Sequence, residues 1–255
     1  MEYIISASTD IGLIKDTNQD SYGVKLLDTR LGKIVVAILC DGMGGYAKGE
    51  VASATVVDAF NKWMLNRLPE LCKMGIGDSV IRQEWNNVIQ NCNEKIKEYG
   101  MTNGINLGTT VVVMMITNTR YYIANVGDSR IYEISDKVEI LTQDQTVVAQ
   151  EVLIGNITEE QAKIDPRRSI LLQCVGASDV VVPDIKTGRT KQNAVYMLCS
   201  DGFRHEISNE EIYQYLNPDT MTNEIQMKNN MDNLIDINKQ RCERDNITVI
   251  SIRTY

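Results

Sequence analysis

Thr109-Thr110-Val111-Val112-Val113-Met114-Met115-Ile116-Thr117-Asn118-Thr119-Arg120-Tyr121-Tyr122-Ile123-Ala124-Asn125-Val126-Gly127-Asp128-Ser129-Arg130-Ile131-Tyr132-Glu133-Ile134 is the stretch that decides the fold. Its three apolar runs, 109–116, 121–126 and 130–134, are short and rich in β-branched and aromatic residues, the signature of strands. The link Thr117-Asn118-Thr119-Arg120, and Ser135-Asp136-Lys137 after the third run, are too short for a parallel crossover. The spacing therefore predicts an antiparallel meander.

Similar runs at 3–7, 21–27, 35–40, 195–199 and 247–252 predict further strands. Two amphipathic helices precede the meander. Ala52, Val56, Ala59, Phe60 and Trp63 share one face, with Pro69 as the expected stop. Ile81, Trp85, Val88, Cys92, Ile96 and Tyr99 repeat the pattern up to Gly100. Thr158 with Gln161, and Ser208 with Glu211, have capping-box spacing, and a last helix is expected over 225–239. Each helix needs one sheet face, and a sheet covered by helices on one side must bury the other against a second sheet. The expectation is an α+β fold, a four-layer α-β-β-α sandwich.

The chain has 255 residues, 43% of them hydrophobic, with four prolines and no linker-like or low-complexity run. One domain over 1–255 is expected. A net charge of −8 argues against nucleic acid or an anionic membrane as partner. Nothing near Tyr3-Ile4-Ile5-Ser6-Ala7 reads as a signal peptide or membrane span, so a cytoplasmic location is expected. The six cysteines include no Cys-x-x-Cys pair and there is one histidine, which nearly excludes the usual structural zinc sites. Cys40 and Cys199 end apolar runs and read as buried thiols rather than nucleophiles, and a disulfide framework is not expected.

The chemistry lies in where the aspartates fall. Asp41 and Asp201 each follow an apolar run and precede a glycine. Asp20 stands just before a strand, Asp128 between two strands, and Asp245 ahead of the last one. Singly, each is ordinary turn chemistry. Together, at strand ends of one sandwich, they can converge on one rim, where like charges repel unless cations lie between them. With neither histidine nor thiolate in the set the donors are hard oxygens, suited to Mg²⁺ or Mn²⁺. Glycine in Asp41-Gly42-Met43-Gly44-Gly45 lets the backbone turn sharply and offer a carbonyl. The rival reading, a nucleotide-binding loop, lacks the Gly-Lys-Ser/Thr ending, since Lys48 is followed by Gly49 and Glu50. A calcium-binding protein is disfavoured by the absence of a contiguous Asp-x-Asp-x-Asp loop.

Thr9-Asp10-Ile11-Gly12, Asn18-Gln19-Asp20, the Asp41 tract with Gly49-Glu50-Val51-Ala52-Ser53, Gly108-Thr109-Thr110, Gly127-Asp128-Ser129-Arg130, Ser200-Asp201-Gly202 and Asp245-Asn246-Ile247-Thr248 occur in that order. They resemble the successive motifs of the type-2C, PPM-type metal-dependent Ser/Thr protein phosphatases in their bacterial form, from about residue 9 to 252. The resemblance implies the same sandwich and two cations, Mn²⁺ or Mg²⁺, that activate a bridging water against phosphoserine or phosphothreonine in proteins. It implies that Asp41 bridges both metals, that Asp201 and Asp245 complete one site, and that the Gly42 carbonyl serves the other. Asp20 is expected to bind through water with Gln19 beside it, and Asp128 with Asp201 to form a third, weaker site. Residues 152–166 correspond to a flap beside the active site.

Lys15 stands where the family usually has a phosphate-clamping arginine; Lys15, Asp20 and Asp41 are the expected catalytic residues. Met43, Gln145 and Asp165 replace histidines of family members, which leaves the general acid unassigned. His205 would suit that role, but reads first as a polar residue on the loop after a strand. Arg167-Arg168 beside the flap reads as a solvated pair. The implied partners are phosphoproteins, substrates of a bacterial Ser/Thr kinase, met by a monomer with no nucleic acid or membrane involved. The alternative is a catalytically silent member that binds phosphoproteins or acts as a sensing module; retention of all five aspartates argues against it.

Overall fold

Side chains of strand β3 (Gly32–Met43) alternate between two destinations. Ile34, Val36, Ile38 and Cys40 join a core shared with helices, while Val35, Ala37 and Leu39 join a core shared with a second sheet. This is the two-residue period of a strand buried on both faces. The computed structural model describes residues 1–44 and 48–255. Gly45, which ends the glycine tract after Asp41, lies outside the described residues.

β3 lies between β2 (Asp20–Thr29) and β5 (Val111–Ile116), followed by β6 (Arg120–Val126) and β9 (Asp184–Arg189), with β4 (Gly108–Thr109) pairing the end of β3. The other sheet runs β1 (Tyr3–Asp10), β11 (Ile247–Thr254), β10 (Ala194–Cys199), β7 (Arg130–Ile134), β8 (Val138–Ile140). All these pairings are antiparallel. Helices α1 (Gly49–Asn66) and α3 (Asp78–Asn103) cover the first sheet, where Trp85 meets Phe60 and Trp63 edge-on at 6.1 and 5.9 Å. Helices α7 (Asn209–Leu216) and α8 (Glu224–Gln240) cover the second through Ile212, Leu216, Met227, Met231 and Leu234. The expected α-β-β-α sandwich is the observed fold.

Three local expectations are corrected. The antiparallel links hold as two hairpins, β5–β6 and β7–β8, but not as one sheet: after Val126 the chain changes sheets, and β7 pairs with β10 and β8 rather than with β6. A short link forbids a parallel crossover but not a step between stacked sheets, and β9 occupies the edge of β6. Gly127, at φ 99°, makes the corner. Pro69 does not stop α1, which ends at Asn66; it opens α2 (Leu68–Met74), where a missing N–H costs nothing. α3 passes Gly100 and ends before the left-handed Gly104. Both capping boxes form, at Thr158 ahead of α5 (Glu159–Ile164) and at Ser208 ahead of α7.

Candidate active site

The rim is assembled by sheet register. Asp20 at the start of β2 lies opposite Asp41 near the end of β3. The Asp41 backbone is fixed on both sides: its N–H donates to Thr110 Oγ1 (2.9 Å), and its carbonyl accepts from Thr110 N and Thr109 Oγ1 (both 2.9 Å). Asp201 opens the short helix α6 (Asp201–Arg204) directly after β10, and Asp245 stands just ahead of the neighbouring β11. Ser200 ties the two sheets, donating from Oγ to Asp20 Oδ2 at 3.0 Å. A Cβ on Gly42 would lie 2.3 Å from the Gly49 carbonyl oxygen and 2.6 Å from that of Gln19, so only glycine fits this crossing.

Electrostatics confirm that the acids share one field. Burial, then Asp20, Asp201, Asp128 and Asp245 in turn, push the Asp41 carboxyl well above its usual range. Burial, opposed by the Thr248 and Ser200 hydroxyls and reinforced by Asp201 and Asp245, raises Asp20 to about 7. Burial and Asp201 raise Asp128 to about 7 against the pull of Arg204. Among the described residues no three acids close round a common point as a ready-made cage. The fit to hard cations rests instead on chemistry. Asp20 Oδ1 and Asp201 Oδ1 are buried without a hydrogen-bond partner, and Mg²⁺ or Mn²⁺ fills much of its shell with water. The hard-oxygen donors of Asp20 and Asp201, in one field with Asp41, are therefore chemically suited to such ions.

Lys15 reaches the same rim. Its Nζ lies 2.8 Å from Asp245 Oδ1, both side chains being about two-fifths exposed. Burial alone would lower the lysine, but the Asp245 bond and the fields of Asp245, Asp41 and Asp201 outweigh it and raise it. The 11–19 loop that carries Lys15 is pinned by Asn246, whose Oδ1 accepts from Gln19 N (2.9 Å) and whose Nδ2 donates to the carbonyls of Ile11 (2.9 Å) and Thr17 (3.2 Å).

Arg204, Asp144 and Glu243, near the rim, carried no signal in the sequence. Arg204 donates to the Asp128 carbonyl, and Asp144 accepts a two-pronged bond from Arg130 at 2.8 and 2.8 Å. His205 lies between Glu243 (Nδ1 to Oε2, 3.2 Å) and Asp201 (Nε2 to Oδ2, 3.4 Å), and its pKa is raised. Burial opposes that rise, while the Glu243 bond and the Asp201 charge outweigh it. Glu243 also accepts from the N–H groups of Arg244 and Asp245, shaping the turn into β11. Gln145 is structural: its side chain accepts from Gly127 N at 2.8 Å and braces the corner between sheets. Asp165 pairs with exposed Arg167 beyond α5, and Met43 pairs with Gly108 at the end of β3. Residues 152–166 follow from α4 (Val147–Leu153) through α5.

Residues 15–236 match the family model described as protein phosphatase 2C. A Streptococcus pyogenes relative of protein phosphatase 2C type is 33% identical over 248 residues, 96% of this chain and 95% of its own length. The S. agalactiae serine/threonine phosphatase superposes with a TM-score of 0.85 at 30% identity, covering 100% of both chains. The catalytic domain of the phosphatase PstP, solved in complex with two manganese ions, superposes at 0.77 with 25% identity over 99% of both. The family model and the relative both span most of the chain, which belongs to the protein phosphatase 2C family.

Proposed function

We propose that this enzyme removes phosphate from serine and threonine side chains of proteins with the help of two divalent cations, Mn²⁺ or Mg²⁺. The observation that carries the reading is the pair of buried, partnerless oxygens on Asp20 and Asp201, set in the same field as Asp41 and Asp245. When bound, the cations lower the pKa of water and neutralise phosphoryl oxygens during in-line attack. Asp41, Asp201 and Asp245 would hold them with the Gly42 carbonyl, and Asp20 would help through water. Ser200 and Thr110 keep the Asp20 carboxylate and the Asp41 backbone in place. Lys15, on a loop at the mouth, draws the phosphate dianion and orients it. No protein nucleophile is required, which agrees with the buried state of Cys40 and Cys199.

The whole chain would act as one catalytic unit, with 152–166 as a flap, on phosphoproteins made by a bacterial Ser/Thr kinase. A cytoplasmic monomer is the state that reading favours; among the described residues no helix is long and apolar enough to cross a membrane. Hydrolysis of p-nitrophenyl phosphate and of a phosphothreonine peptide, assayed with Mn²⁺ and after chelation, tests the proposal. Activity should need added metal. Undiminished turnover in excess EDTA, after confirmed metal removal, would sink it.

A further inference from the structure

We propose that Arg204 takes the place of a third cation beside Asp128, so that the protein carries two metal ions and a resident guanidinium rather than three metal ions. The inference rests on the two-metal reading above. Arg204 Nη2 donates to the Asp128 carbonyl at 2.9 Å and lies 3.5 Å from Asp128 Oδ2 and 3.2 Å from Asp144 Oδ2. The three side chains are only 12, 8 and 12% exposed, so this is an interior contact and not a surface pair. Asp144 is held in turn by the fork of Arg130. Two carboxylates therefore already face two guanidiniums, and arginine cannot give up its charge.

A third metal site would need Asp128 together with Asp201. Asp201 turns Oδ2 towards His205 and keeps only Oδ1 without a partner, and that oxygen is claimed by the two-metal set. A dication placed on Asp128 would meet the Arg204 guanidinium at contact distance, with like charges in a poorly hydrated setting. Arg204 cannot easily withdraw. It is rooted in α6, the same four-residue helix that presents Asp201, and a Cβ on neighbouring Gly202 would lie 2.2 Å from the Asn246 carbonyl oxygen, so this helix is pressed against the turn before β11. The helix that brings in a metal carboxylate also brings the cation that closes the third site.

The test is a count of bound Mn²⁺ by native mass spectrometry and by metal analysis after equilibrium dialysis at saturating Mn²⁺. Wild type and Arg204→Lys should each carry two equivalents, whereas Arg204→Gln, which leaves Asp128 without its cation, should take up a third. Asp128→Asn should stay at two, and this arm keeps the proposal exposed if Arg204→Gln does not fold. Three equivalents in wild type, falling to two in Asp128→Asn, would overturn the proposal while the two-metal reading stands. A natively folded Arg204→Gln that stays at two would also overturn it. Fewer than two equivalents in wild type would remove the two-metal reading and this inference together.

Discussion

Lys15 Nζ and Asp245 Oδ1 lie 2.8 Å apart, so the lysine expected to hold phosphate is itself held by a carboxylate expected to hold metal. One side chain cannot do both at once. Phosphate must draw Lys15 from Asp245, or share it. Half-exposed pairs of this kind are worth about 0.2–1 kcal/mol, so the competition is mild. Lysine also offers a point charge where arginine would offer a two-pronged fork. Lys15→Ala should raise KM more than it lowers kcat, and should tighten Mn²⁺ binding by up to about fivefold as Asp245 is released. Lys15→Arg should lower KM for aryl phosphates. Steady-state kinetics and metal titration check both; unchanged KM and kcat in Lys15→Ala would leave the residue no phosphate role.

Removing a rim carboxylate should separate activity from stability. Asp41→Asn, Asp201→Asn and Asp245→Asn should each lower kcat by about 10²–10³-fold or more, as loss of a preorganised charge does. Their metal-free melting temperatures should be unchanged or higher, because a repelling charge is gone. A variant with near-normal turnover would show that its carboxylate is not a ligand.

Burial, reinforced by the charge of Asp201, sets a pH dependence in protein stripped of metal. Asp20 and Asp128 have folded-state pKa values near 7 against an ordinary 3.8, so the folded state binds more protons than the unfolded one. Their contribution to stability is complete below about pH 4 and is lost as pH rises through about 7. Urea midpoints should therefore fall over that window without metal, and Mn²⁺ should remove the part of the fall that comes from Asp20. A metal-free midpoint that rises across the window would contradict the assignment.

Legibility in the sequence followed how local each signal was. β3 and β5 could be read because consecutive residues serve two cores, which forces long apolar runs such as 34–40 and 111–116. β9 could not: Asp184-Ile185-Lys186-Thr187-Gly188-Arg189 is a polar edge strand with one side chain in the core. Nothing local marks the change of sheet at Gly127, because a short link is compatible with a hairpin and with a step across the sandwich. The five aspartates stood out in ordered motifs, four of them directly beside glycine or asparagine. Arg204 did not, because its partner Asp128 is 76 positions away and nothing local marks the pairing.

His205 lies between Glu243 and Asp201; against the effect of burial, the Glu243 bond and the Asp201 charge raise its pKa, so its protonated form stabilises the fold. That stability is present below the ordinary value of about 6.5 and is lost as pH rises through the folded-state pKa. His205→Gln should therefore be destabilised most near about pH 6 and converge on wild type at alkaline pH. Its pH–rate profile should keep both limbs. Loss of a limb near about pH 6–7 together with most of kcat would instead make His205 the general acid.

Asn246 gives the last prediction, because it links the turn before β11 to the loop that carries Lys15. Its amide makes three hydrogen bonds to the backbone of residues 11, 17 and 19, and the side chain is almost fully buried. Each such bond contributes about 1 kcal/mol net, and groups left unsatisfied cost more, so Asn246→Ala should destabilise by about 2–4 kcal/mol. Destabilisation alone would not show a role in function. If Asn246 positions Lys15, the variant should also raise KM for aryl phosphates while kcat falls less, as in Lys15→Ala. Asn246→Asp should not rescue it, since a carboxylate can accept from Gln19 N but cannot donate to the Ile11 and Thr17 carbonyls. The two KM effects should also fail to add in a double-mutant cycle, because both changes act on one contact. Additive KM effects, or a destabilised Asn246→Ala with wild-type KM, would reduce Asn246 to a purely structural residue.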